Sequence, residues 1–260
     1  MSLSFAGRRK EILEILFRDG EVKVLPLAQL FDVSTETIRR DLDKLEQEGK
    51  LKKVYGGAIK SDVDYLEPPF LQRSKTNVDQ KRAIGKIASS MVKYGETILI
   101  DHGTTTIEII HHLKERHDIT IVTHSVPTLL LAMEIMKGKI VFIGGEVNAL
   151  QQSVSGALAE DMLQQINVHK AFISVGGITI EEGITDFEWS EASISRKMIE
   201  RSEEVIVLAD HTKFGKVTFA NIAPLSDVDV IITDRGCSKE WIQDVNESNV
   251  KLIIAEMEDH

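Results

Sequence analysis

The sequence lacks most of the features that mark secreted and membrane-spanning proteins. It has one cysteine, Cys237, in 260 residues, which excludes an internal disulfide and fits a reducing compartment. No apolar run approaches the roughly 20 residues that are needed to cross a bilayer. The first residues, MSLSFAGRRK, have neither the apolar core nor the cleavage site of a secretory signal. We therefore expect a cytoplasmic protein in which Cys237 is an ordinary structural thiol.

Positive charge is also in short supply, except near the N-terminus. The net charge is −10, which at first argues against a nucleic-acid partner. Residues 1–60, however, carry 12 Lys or Arg and 10 Asp or Glu, a net charge of +2, whereas the remaining 200 residues carry 19 and 31, a net charge of −12. Only the N-terminal part is therefore suited to meet a phosphate backbone.

Length and composition indicate one sizeable α/β core with a small additional domain. Apolar residues make up 42% of the chain and charged residues 28%, as in ordinary globular proteins. Helical and strand patterns are lost between residues 61 and 77, where LEPPF places two adjacent prolines that suit neither a helix nor an interior strand. We predict a small domain over residues 1–60, a linker over 61–77 and a larger domain over 78–260.

The N-terminal part has the pattern of three short helices and a hairpin. Helical spacing covers residues 8–17, and a second helix begins near Pro26 with Leu27, Leu30 and Phe31 on its apolar side. Ser34 is a suitable N-cap for a third helix that ends at Gly49. LKKVYGGAI, residues 51–59, then reads as a small β-hairpin.

The third helix, VSTETIRRDLDKLEQEG, has the side-chain pattern of a helix that enters a DNA groove. Ile38, Leu42 and Leu45 form its inner stripe, which leaves Arg39 and Arg40 on other sides. Arginine can bond to guanine O6 and N7 through its fork or clamp a phosphate. A solvated helical cap is the alternative. The preceding helix and turn, and the net charge of residues 1–60, favour a helix-turn-helix.

The hairpin adds a basic wing beside this helix. The polar and basic residues of the wing are Lys50, Lys52, Lys53 and Tyr55. The wing and the charge asymmetry favour DNA binding over a solvated cap.

The larger domain alternates between apolar runs and helical stretches. The predicted strands are TILI, ITIVT, KIVFI, KAFISV, EVIVLA, VDVIIT and VKLIIA. Predicted helices cover residues 78–94 and lie near 105–116, 126–137, 157–166, 188–202 and 238–245. Continuous Val and Ile runs between helices predict a parallel sheet covered on both faces, a Rossmann-like α/β fold.

The stretch DHGTTT, residues 101–106, follows the first of these strands and can form an anion site. Gly103 lets the backbone approach a ligand, and Thr104, Thr105 and Thr106 add hydroxyl donors beside the N–H groups of a helix start. The stretch lacks the lysine of a P-loop and the three glycines of a dinucleotide fingerprint. A single phosphate on a small molecule fits better, and a plain threonine-rich helix cap is the alternative.

Other strand ends carry residues that can complete a pocket. Two glycine pairs follow apolar strands, Gly144 with Gly145 and Gly176 with Gly177, and VLADHTKFGK places Asp210 and Lys213 after another strand. Each segment alone also fits a simple turn or charged loop. Ligands of open parallel sheets collect beyond the carboxyl ends of strands. There a lysine can complement phosphate, and aspartates such as Asp101 and Asp210 can accept sugar hydroxyls.

Two further constellations carry less weight. His111 and His112 are adjacent and point to different helix faces, and no His or Cys spacing predicts zinc, so we expect neither a metal nor a cofactor. Asp186, Glu188 and Glu191 could serve as acid and base in an isomerase-like pocket, but the sequence favours a solvated loop leading into a helix. We therefore assign no catalytic residue.

GEVKVLPLAQLFDVSTETIRRDLDKLEQEGKLKKVYGGA, residues 20–58, closely resembles the winged helix-turn-helix of the DeoR family of bacterial transcriptional regulators. The resemblance implies DNA binding through a polar set on the third helix and a wing on the DNA backbone. That set is Ser34, Thr35, Thr37, Arg39 and Arg40. Lys53 stands where the family usually has arginine, and because lysine lacks the fork we assign it a phosphate contact.

The segments DHGTTT, IGGE, SVGGI and ADHTKFGK resemble, in the same order, the sugar-phosphate-sensing domain of that family, related in fold to ribose-5-phosphate isomerase and coenzyme A transferases. The resemblance implies that residues 103–106 hold phosphate while Asp101, Asp210 and Lys213 line the sugar site. His102 and His124 depart from the serine and asparagine that are frequent in the family, which leaves the particular sugar open.

Together these patterns predict a homo-oligomeric DNA-binding repressor of a carbohydrate-use operon. We expect it to bind double-stranded operator DNA as a homodimer or homotetramer and to be released by a small phosphorylated sugar. The alternatives are an isomerase-like enzyme with a DNA-binding appendage, and a transcriptional activator.

Overall fold

The computed structural model describes residues 5–47, 50–59 and 67–256. The chain forms two compact units, residues 1–67 and residues 68–260. Of the predicted linker, residues 61–66 lie outside the described residues, as does Gly49 at the predicted end of the third helix. No helix in the described ranges has the length and apolar character that a membrane span requires.

The described part of the first unit contains three helices and a three-stranded antiparallel sheet. The helices are α1 (Phe5–Asp19), α2 (Val24–Phe31) and α3 (Thr35–Gln47), and the strands are β1 (Glu21–Lys23), β2 (Lys52–Val54) and β3 (Gly57–Ile59). The strands pair in the order β1-β3-β2. The predicted three helices and hairpin are confirmed. Strand β1 is new, because three residues are too few for a readable alternation.

The helices and the sheet of this unit enclose one apolar core. Its buried side chains include Ile12, Leu16, Leu27, Phe31, Ile38, Leu42, Leu45 and Leu51. The predicted inner stripe of α3 is therefore confirmed. Leu30, which the sequence places on the inner side of α2, is instead 60% exposed, because Leu27 and Phe31 occupy the inward face one turn apart.

The second unit contains twelve described strands. In chain order they are β4 (Thr97–Ile100), β5 (Thr120–Thr123), β6 (Lys139–Phe142), β7 (Glu146–Asn148), β8 (Ser153–Ser155), β9 (Val168–Ser174), β10 (Gly177–Thr179), β11 (Gly183–Asp186), β12 (Ser202–Leu208), β13 (Ala220–Ala223), β14 (Val230–Asp234) and β15 (Lys251–Ala255). Seven of them form one parallel sheet in the order β15-β14-β12-β9-β4-β5-β6. These seven are the strands predicted from the apolar runs, so the parallel sheet is confirmed.

Helices cover both faces of this sheet. They are α4 (Phe70–Arg73), α5 (Val78–Ser90), α6 (Val126–Ile135), α7 (Ala157–Gln164), α8 (Trp189–Glu200) and α9 (Lys239–Glu247). Leu99 points into the core under α7, α8 and α9, while its neighbours Ile98 and Ile100 point into the core under α5 and α6. This alternation is the two-residue period of a strand buried on both faces.

Residues 106–112 differ from prediction. The sequence predicts a helix near 105–116, but Thr106–His112 forms a 3₁₀ helix. Consecutive β-branched residues lower the preference for an α-helix, and close packing on α5 leaves little room for a wider turn. A β-carbon on Gly85 of α5 would lie 2.5 Å from Cβ of Glu108.

Part of the predicted linker is folded. Residues 68–77 belong to the second unit, and Pro68 and Pro69 directly precede α4. Phe70 is 5% exposed, and Nη2 of Arg73 donates to Oε1 of Gln151 at 2.7 Å. The prolines therefore mark the entrance of a packed segment and not the middle of a free one.

The strand order of the sheet reverses at β4. The chain first adds β5 and β6 on one side of β4, and later adds β9, β12, β14 and β15 on the other side. The loops after β4 and β9 therefore flank the topological switch point, where open α/β sheets bind ligands. The residues after β4 are DHGTTT, and those after β9 are Val175, Gly176 and Gly177.

Candidate functional sites

The N-terminus of α3 is closed by its own side chains. Oγ of Ser34 accepts a hydrogen bond from the backbone N–H of Thr37 at 3.2 Å, and the two hydroxyls lie 2.9 Å apart. The predicted N-cap is confirmed. Ser34 is exposed, while Thr35 and Thr37 are half-buried, so the first turn of α3 presents hydroxyl groups to solvent.

The two arginines of α3 extend into solvent. The side chains of Arg39 and Arg40 are 58% and 78% exposed. Each faces Glu36, at 3.7 Å for Nη1 of Arg39 and 3.8 Å for Nε of Arg40. Exposed ion pairs of this kind contribute about 0–1 kcal/mol, so a stronger anionic partner can displace Glu36 from the guanidinium groups.

The opposite side of α3 is fixed inside the unit. Nε of Arg8 lies 2.5 Å from Oδ2 of Asp41, and Asp41 is fully buried. A buried ion pair whose partner is removed destabilises a fold strongly, because it leaves an uncompensated charge. This pair therefore fixes how α3 rotates about its axis and keeps Arg39 and Arg40 outward.

The wing presents a different set of side chains from the one expected. Lys52 and Tyr55 are exposed, and Tyr55 sits at the tip, where Gly56 has a φ of 80°. Lys53, to which the sequence assigns a phosphate contact, instead pairs through Nζ with Asp43 of α3. Its backbone N–H also donates to Oε1 of Glu46 at 2.8 Å. The wing folds back on α3, which places Lys53 beside these two acids.

The second unit gathers its polar groups at the carboxyl edge of the sheet, around Asp101. Oδ1 of this fully buried carboxylate lies 2.9 Å from Nδ1 of His102 and 2.8 Å from Nε2 of His124. Oδ2 accepts from the backbone N–H and Oγ of Ser174, at 2.8 and 2.6 Å. Burial opposes ionisation, but the charges and hydrogen bonds of the two histidines hold the pKa of Asp101 well below its ordinary value.

This network changes the role expected of Asp101. The sequence predicts that Asp101 accepts sugar hydroxyls, yet both of its oxygens are occupied by protein donors from the ends of β4, β5 and β9. It therefore serves as the junction of three strand ends.

The three threonines after Gly103 are not equivalent. Oγ1 of Thr106 donates within the loop, to the carbonyls of Asp101 at 2.8 Å and Gly103 at 3.0 Å. Within the described residues, the hydroxyls of Thr104 and Thr105 have no protein partner, and the two residues are 5% and 7% exposed. Their backbone N–H groups precede the first bonds of the 3₁₀ helix. Thr104 and Thr105 are thus the donors available to an anion, and Thr106 shapes the loop.

Three of the four paired glycines lie where neighbouring chain segments pack too closely for a side chain. A β-carbon on Gly176 would lie 2.8 Å from Oγ1 of Thr218, and one on Gly177 would lie 2.2 Å from the carbonyl oxygen of Lys216. Gly145 has a φ of 156° and packs on the carbonyl of Ser155, whereas Gly144 has open space around it. Gly144 is therefore the one glycine of the four that does not need to be glycine for packing.

Asp210 and Lys213 lie on a 3₁₀ turn that follows β12. Oδ1 of Asp210 accepts from the backbone N–H of Thr212 at 2.9 Å and from its hydroxyl at 2.5 Å. Burial alone would raise the pKa of Asp210, but the hydrogen bonds from Thr212 outweigh it and hold the pKa below its ordinary value. Nζ of Lys213 lies 5.8 Å from the ring centroid of Phe187. Asp210 is thus a cap of this turn, and Lys213 brings a cation to the same edge.

Lys81 is a charged residue of this region that the sequence did not reveal. It lies in the first turns of α5, is 5% exposed, and donates from Nζ to the carbonyl of Arg73 at 2.6 Å. Burial lowers the pKa of Lys81 to about 8. The negative charge of Asp210 opposes this shift, and the positive charge of Lys213 adds to it. Sequence reasoning missed it because a lysine on an amphipathic helix normally faces water.

The acidic stretch at residues 186–191 is not the solvated loop that the sequence favours. Asp186 is 3% exposed at the end of β11, where its Oδ1 accepts from the N–H of Phe187 at 2.6 Å. Glu191 is 1% exposed in the first turn of α8, and Oε2 of Glu188 accepts from Asn148 at 3.2 Å. The stretch enters α8, which packs against the sheet, and this burial withdraws Asp186 and Glu191 from water.

Comparison with known protein families supports both units separately. Residues 8–62 match the DeoR-like helix-turn-helix domain, and residues 76–235 match the DeoR C terminal sensor domain. The two matches cover the helix-turn-helix with its wing and most of the parallel-sheet unit.

Individual proteins resemble the chain over nearly its full length. It is 34% identical over 247 residues to the uncharacterized HTH-type transcriptional regulator YulB of Bacillus subtilis strain 168, covering 95% of each chain. It is 31% identical over 249 residues to a putative aga operon transcriptional repressor of Escherichia coli O157:H7, covering 95% of this chain and 93% of the relative.

Among solved structures, ribose 5-phosphate isomerase A from Methanocaldococcus jannaschii resembles part of the chain. The TM-score is 0.40 and the sequence identity 20%, over 54% of this chain and 55% of the isomerase. A similarity this weak carries no argument about activity.

Proposed function

The chain belongs to the DeoR family of transcriptional regulators, and from this premise we propose that it represses an operon for carbohydrate use and is released by a phosphorylated sugar. The observation that carries the proposal is the capped α3 helix, with two exposed arginines, in a chain that also contains the family's sensor domain. The repressor assignment draws on the relative whose name is putative aga operon transcriptional repressor.

In the DNA-bound state, α3 lies in the major groove. Arg39 and Arg40 leave Glu36 and bond to guanine edges or to phosphates, and the hydroxyls of Ser34, Thr35 and Thr37 contact the flanking backbone. Lys52 and Tyr55 of the wing reach the adjacent phosphates. Lys53 orients the wing through its pair with Asp43 and stays on the protein.

In the effector-bound state, the switch point between β4 and β9 holds the phosphate. The backbone N–H groups and hydroxyls of Thr104 and Thr105 bond to its oxygens, and Lys81 and Lys213 supply positive charge. Because the two threonines are almost buried, the bound anion is withdrawn from water, which strengthens each hydrogen bond. The glycine pairs and Asp210 shape the rest of the site around the sugar.

The effector acts only if it binds the DNA-bound and the free conformations with unequal affinity. We propose that the protein is a homodimer or larger homo-oligomer in the cytoplasm, and that the effector favours an arrangement whose half-site spacing no longer fits the operator. Two-fold dimers read half-sites about one helical turn apart, so a modest rearrangement is enough to lose one of them.

A reporter experiment separates repression from activation. Expression from the chain's own target promoter is measured in cells with and without its gene. Repression predicts that expression rises when the gene is deleted and falls again on complementation. A fall on deletion would identify an activator and would refute the proposed sign of regulation.

The competing enzymatic function is tested by assaying the purified chain for aldose–ketose interconversion of each sugar phosphate. The buried carboxylates Asp186 and Glu191 are the observation that favours it, since a carboxyl group held away from bulk water can serve as a general acid or base. We expect no aldose–ketose interconversion by the purified chain. Turnover that disappears in Asp186→Asn would establish an isomerase with a DNA-binding appendage.

A further inference from the structure

Four side chains with metal-binding atoms meet beside the switch point, and none of them is distinguished by its spacing in the sequence. Asp101 and His102 follow β4, His124 follows β5, and Glu191 lies in the first turn of α8. All four are between 0% and 2% exposed. The ligand atoms of Asp101, His102 and His124 lie within 4.8 Å of one another.

One ring nitrogen of His124 faces a carbonyl oxygen and the other faces a carboxylate oxygen. Its Nδ1 lies 2.9 Å from the carbonyl oxygen of Val154, which can only accept, so Nδ1 carries a hydrogen. A neutral ring then directs the lone pair of Nε2 at Oδ1 of Asp101, only 2.8 Å away. Two lone pairs repel at this distance unless a proton or a metal ion lies between them.

Glu191 supplies a second, independent indication. Its Oε1 accepts from Oγ of Ser153 at 2.5 Å, but Oε2 is buried and accepts no hydrogen bond from the described residues. The atom faces Nδ1 of His102 at 3.7 Å, which is too long for a hydrogen bond. A buried carboxylate oxygen without a donor is costly, so this one indicates a partner that protein atoms do not provide.

We propose that Asp101, His102, His124 and Glu191 bind a divalent transition metal ion of the Zn²⁺ class. Ligands about 2.1 Å from a tetrahedral ion are roughly 3.4 Å apart. The observed separations are 2.8 Å and 2.9 Å from Oδ1 of Asp101 to the two rings and 3.7 Å from His102 to Glu191. The separations of Oδ1 of Asp101 from the two rings need to grow by about half an ångström to fit such an ion, and Oε2 of Glu191, which already faces His102, has to move closer to the other two ligands to complete the shell.

The surroundings match those of protein metal sites. The bond from Nδ1 of His124 to the Val154 carbonyl is the outer contact that fixes the tautomer of a metal-binding histidine. Ser174 and Ser153 hold the carboxylates from the far side. Two imidazoles select Zn²⁺, Co²⁺ or Ni²⁺ over Mg²⁺ or Ca²⁺. Four protein ligands leave no open position, so the ion ties β4, β5 and α8 together in a structural role.

The test uses the full-length wild-type protein. Its metal content is measured by elemental analysis as purified, and Zn²⁺ affinity is measured after chelation by competition with a chromophoric chelator. We expect one tight site per chain. Visible absorption of the Co²⁺-substituted protein then reports tetrahedral geometry, and X-ray absorption reports two imidazoles among oxygen and nitrogen ligands. Absence of a one-to-one site in the wild-type chain would overturn the proposal.

Two variants and one matched control locate the site. His124→Asn and His102→Asn should weaken Zn²⁺ binding by more than about 100-fold, beyond the 10–100-fold that follows loss of an outer contact. His211→Asn removes an imidazole that also lies 2.9 Å from a carboxylate, Oδ2 of Asp234, and should keep wild-type affinity. Circular dichroism establishes that each variant folds. Undiminished Zn²⁺ binding in both cluster variants would place the ion elsewhere and contradict the proposal.

Discussion

Gly103 packs directly against Ser174, so that a β-carbon on Gly103 would lie 2.3 Å from Cβ of Ser174 and 2.5 Å from its Oγ. This contact joins the loops after β4 and β9 at the topological switch point. Glycine is required here by close approach and not by an unusual φ. The same serine also donates twice to Asp101, so this contact helps to position the threonine loop together with the hydrogen bonds of Thr106.

Gly103→Ala should therefore destabilise the sensor unit and abolish its effector response. Overpacking of this kind costs about 1–3 kcal/mol, which denaturant unfolding measures. Gly144→Ala is the matched control, because no atom lies within 4 Å of its added β-carbon. Equal stability of the two variants would show that Gly103 is not held against Ser174.

Arg39→Ala and Arg40→Ala should each weaken operator binding by about 1–3 kcal/mol if the arginine contacts a base. Fluorescence anisotropy with labelled operator measures the affinity at a fixed salt concentration, which matters because phosphate contacts are salt-dependent. Arg235→Ala, which removes a similarly exposed arginine from the second unit, should bind as the wild type does. If neither α3 variant loses affinity, α3 is not the recognition helix.

Lys81 should make stability depend on pH above neutrality. Its pKa falls from 10.5 in the unfolded chain to about 8 in the folded one. Between these values the unfolded state binds more protons, so the free energy of unfolding rises with pH relative to Lys81→Met. The rise should be on the order of 1–3 kcal/mol, and below pH 8 the difference between the two proteins should be constant. Parallel pH profiles throughout would mean that Lys81 ionises normally.

Thr105→Ala and Lys213→Ala should reduce the response to effector and leave basal DNA binding unchanged. Each removes one contact proposed for the phosphate, at a cost of about 1–3 kcal/mol in effector affinity because these bonds are charge-assisted. Thr97→Ala, at the opposite end of β4, serves as control. Loss of basal DNA binding in Thr105→Ala would assign that threonine a folding role instead.

The sequence predicts the fold better than the site. Runs of Val and Ile between helices identify all seven strands of the parallel sheet, because burial on both faces leaves an unmistakable apolar signature. Ser34 as a cap and Ile38, Leu42 and Leu45 as an inner stripe are equally readable, since they depend on spacing within one helix.

The contents of the site depend on contacts between distant residues, which spacing cannot show. His102 and His124 meet at Asp101 only because β4 and β5 are neighbours, and Glu191 arrives with α8. Lys53 pairs with Asp43 because the wing folds back on α3. A lysine or acid has the same local pattern whether it is solvated or buried, so Lys81 and Glu191 could not be distinguished from surface residues.

The most direct test of the account is an anisotropy titration of wild-type protein bound to its operator, with a panel of sugar phosphates and the corresponding unphosphorylated sugars at up to millimolar concentration. The account predicts that at least one phosphorylated sugar lowers operator affinity at least tenfold, a coupling of about 1.4 kcal/mol, and that its unphosphorylated form does not. Unchanged affinity with every sugar phosphate, or an equal response to the unphosphorylated sugar, would contradict the proposed phosphate site at the switch point.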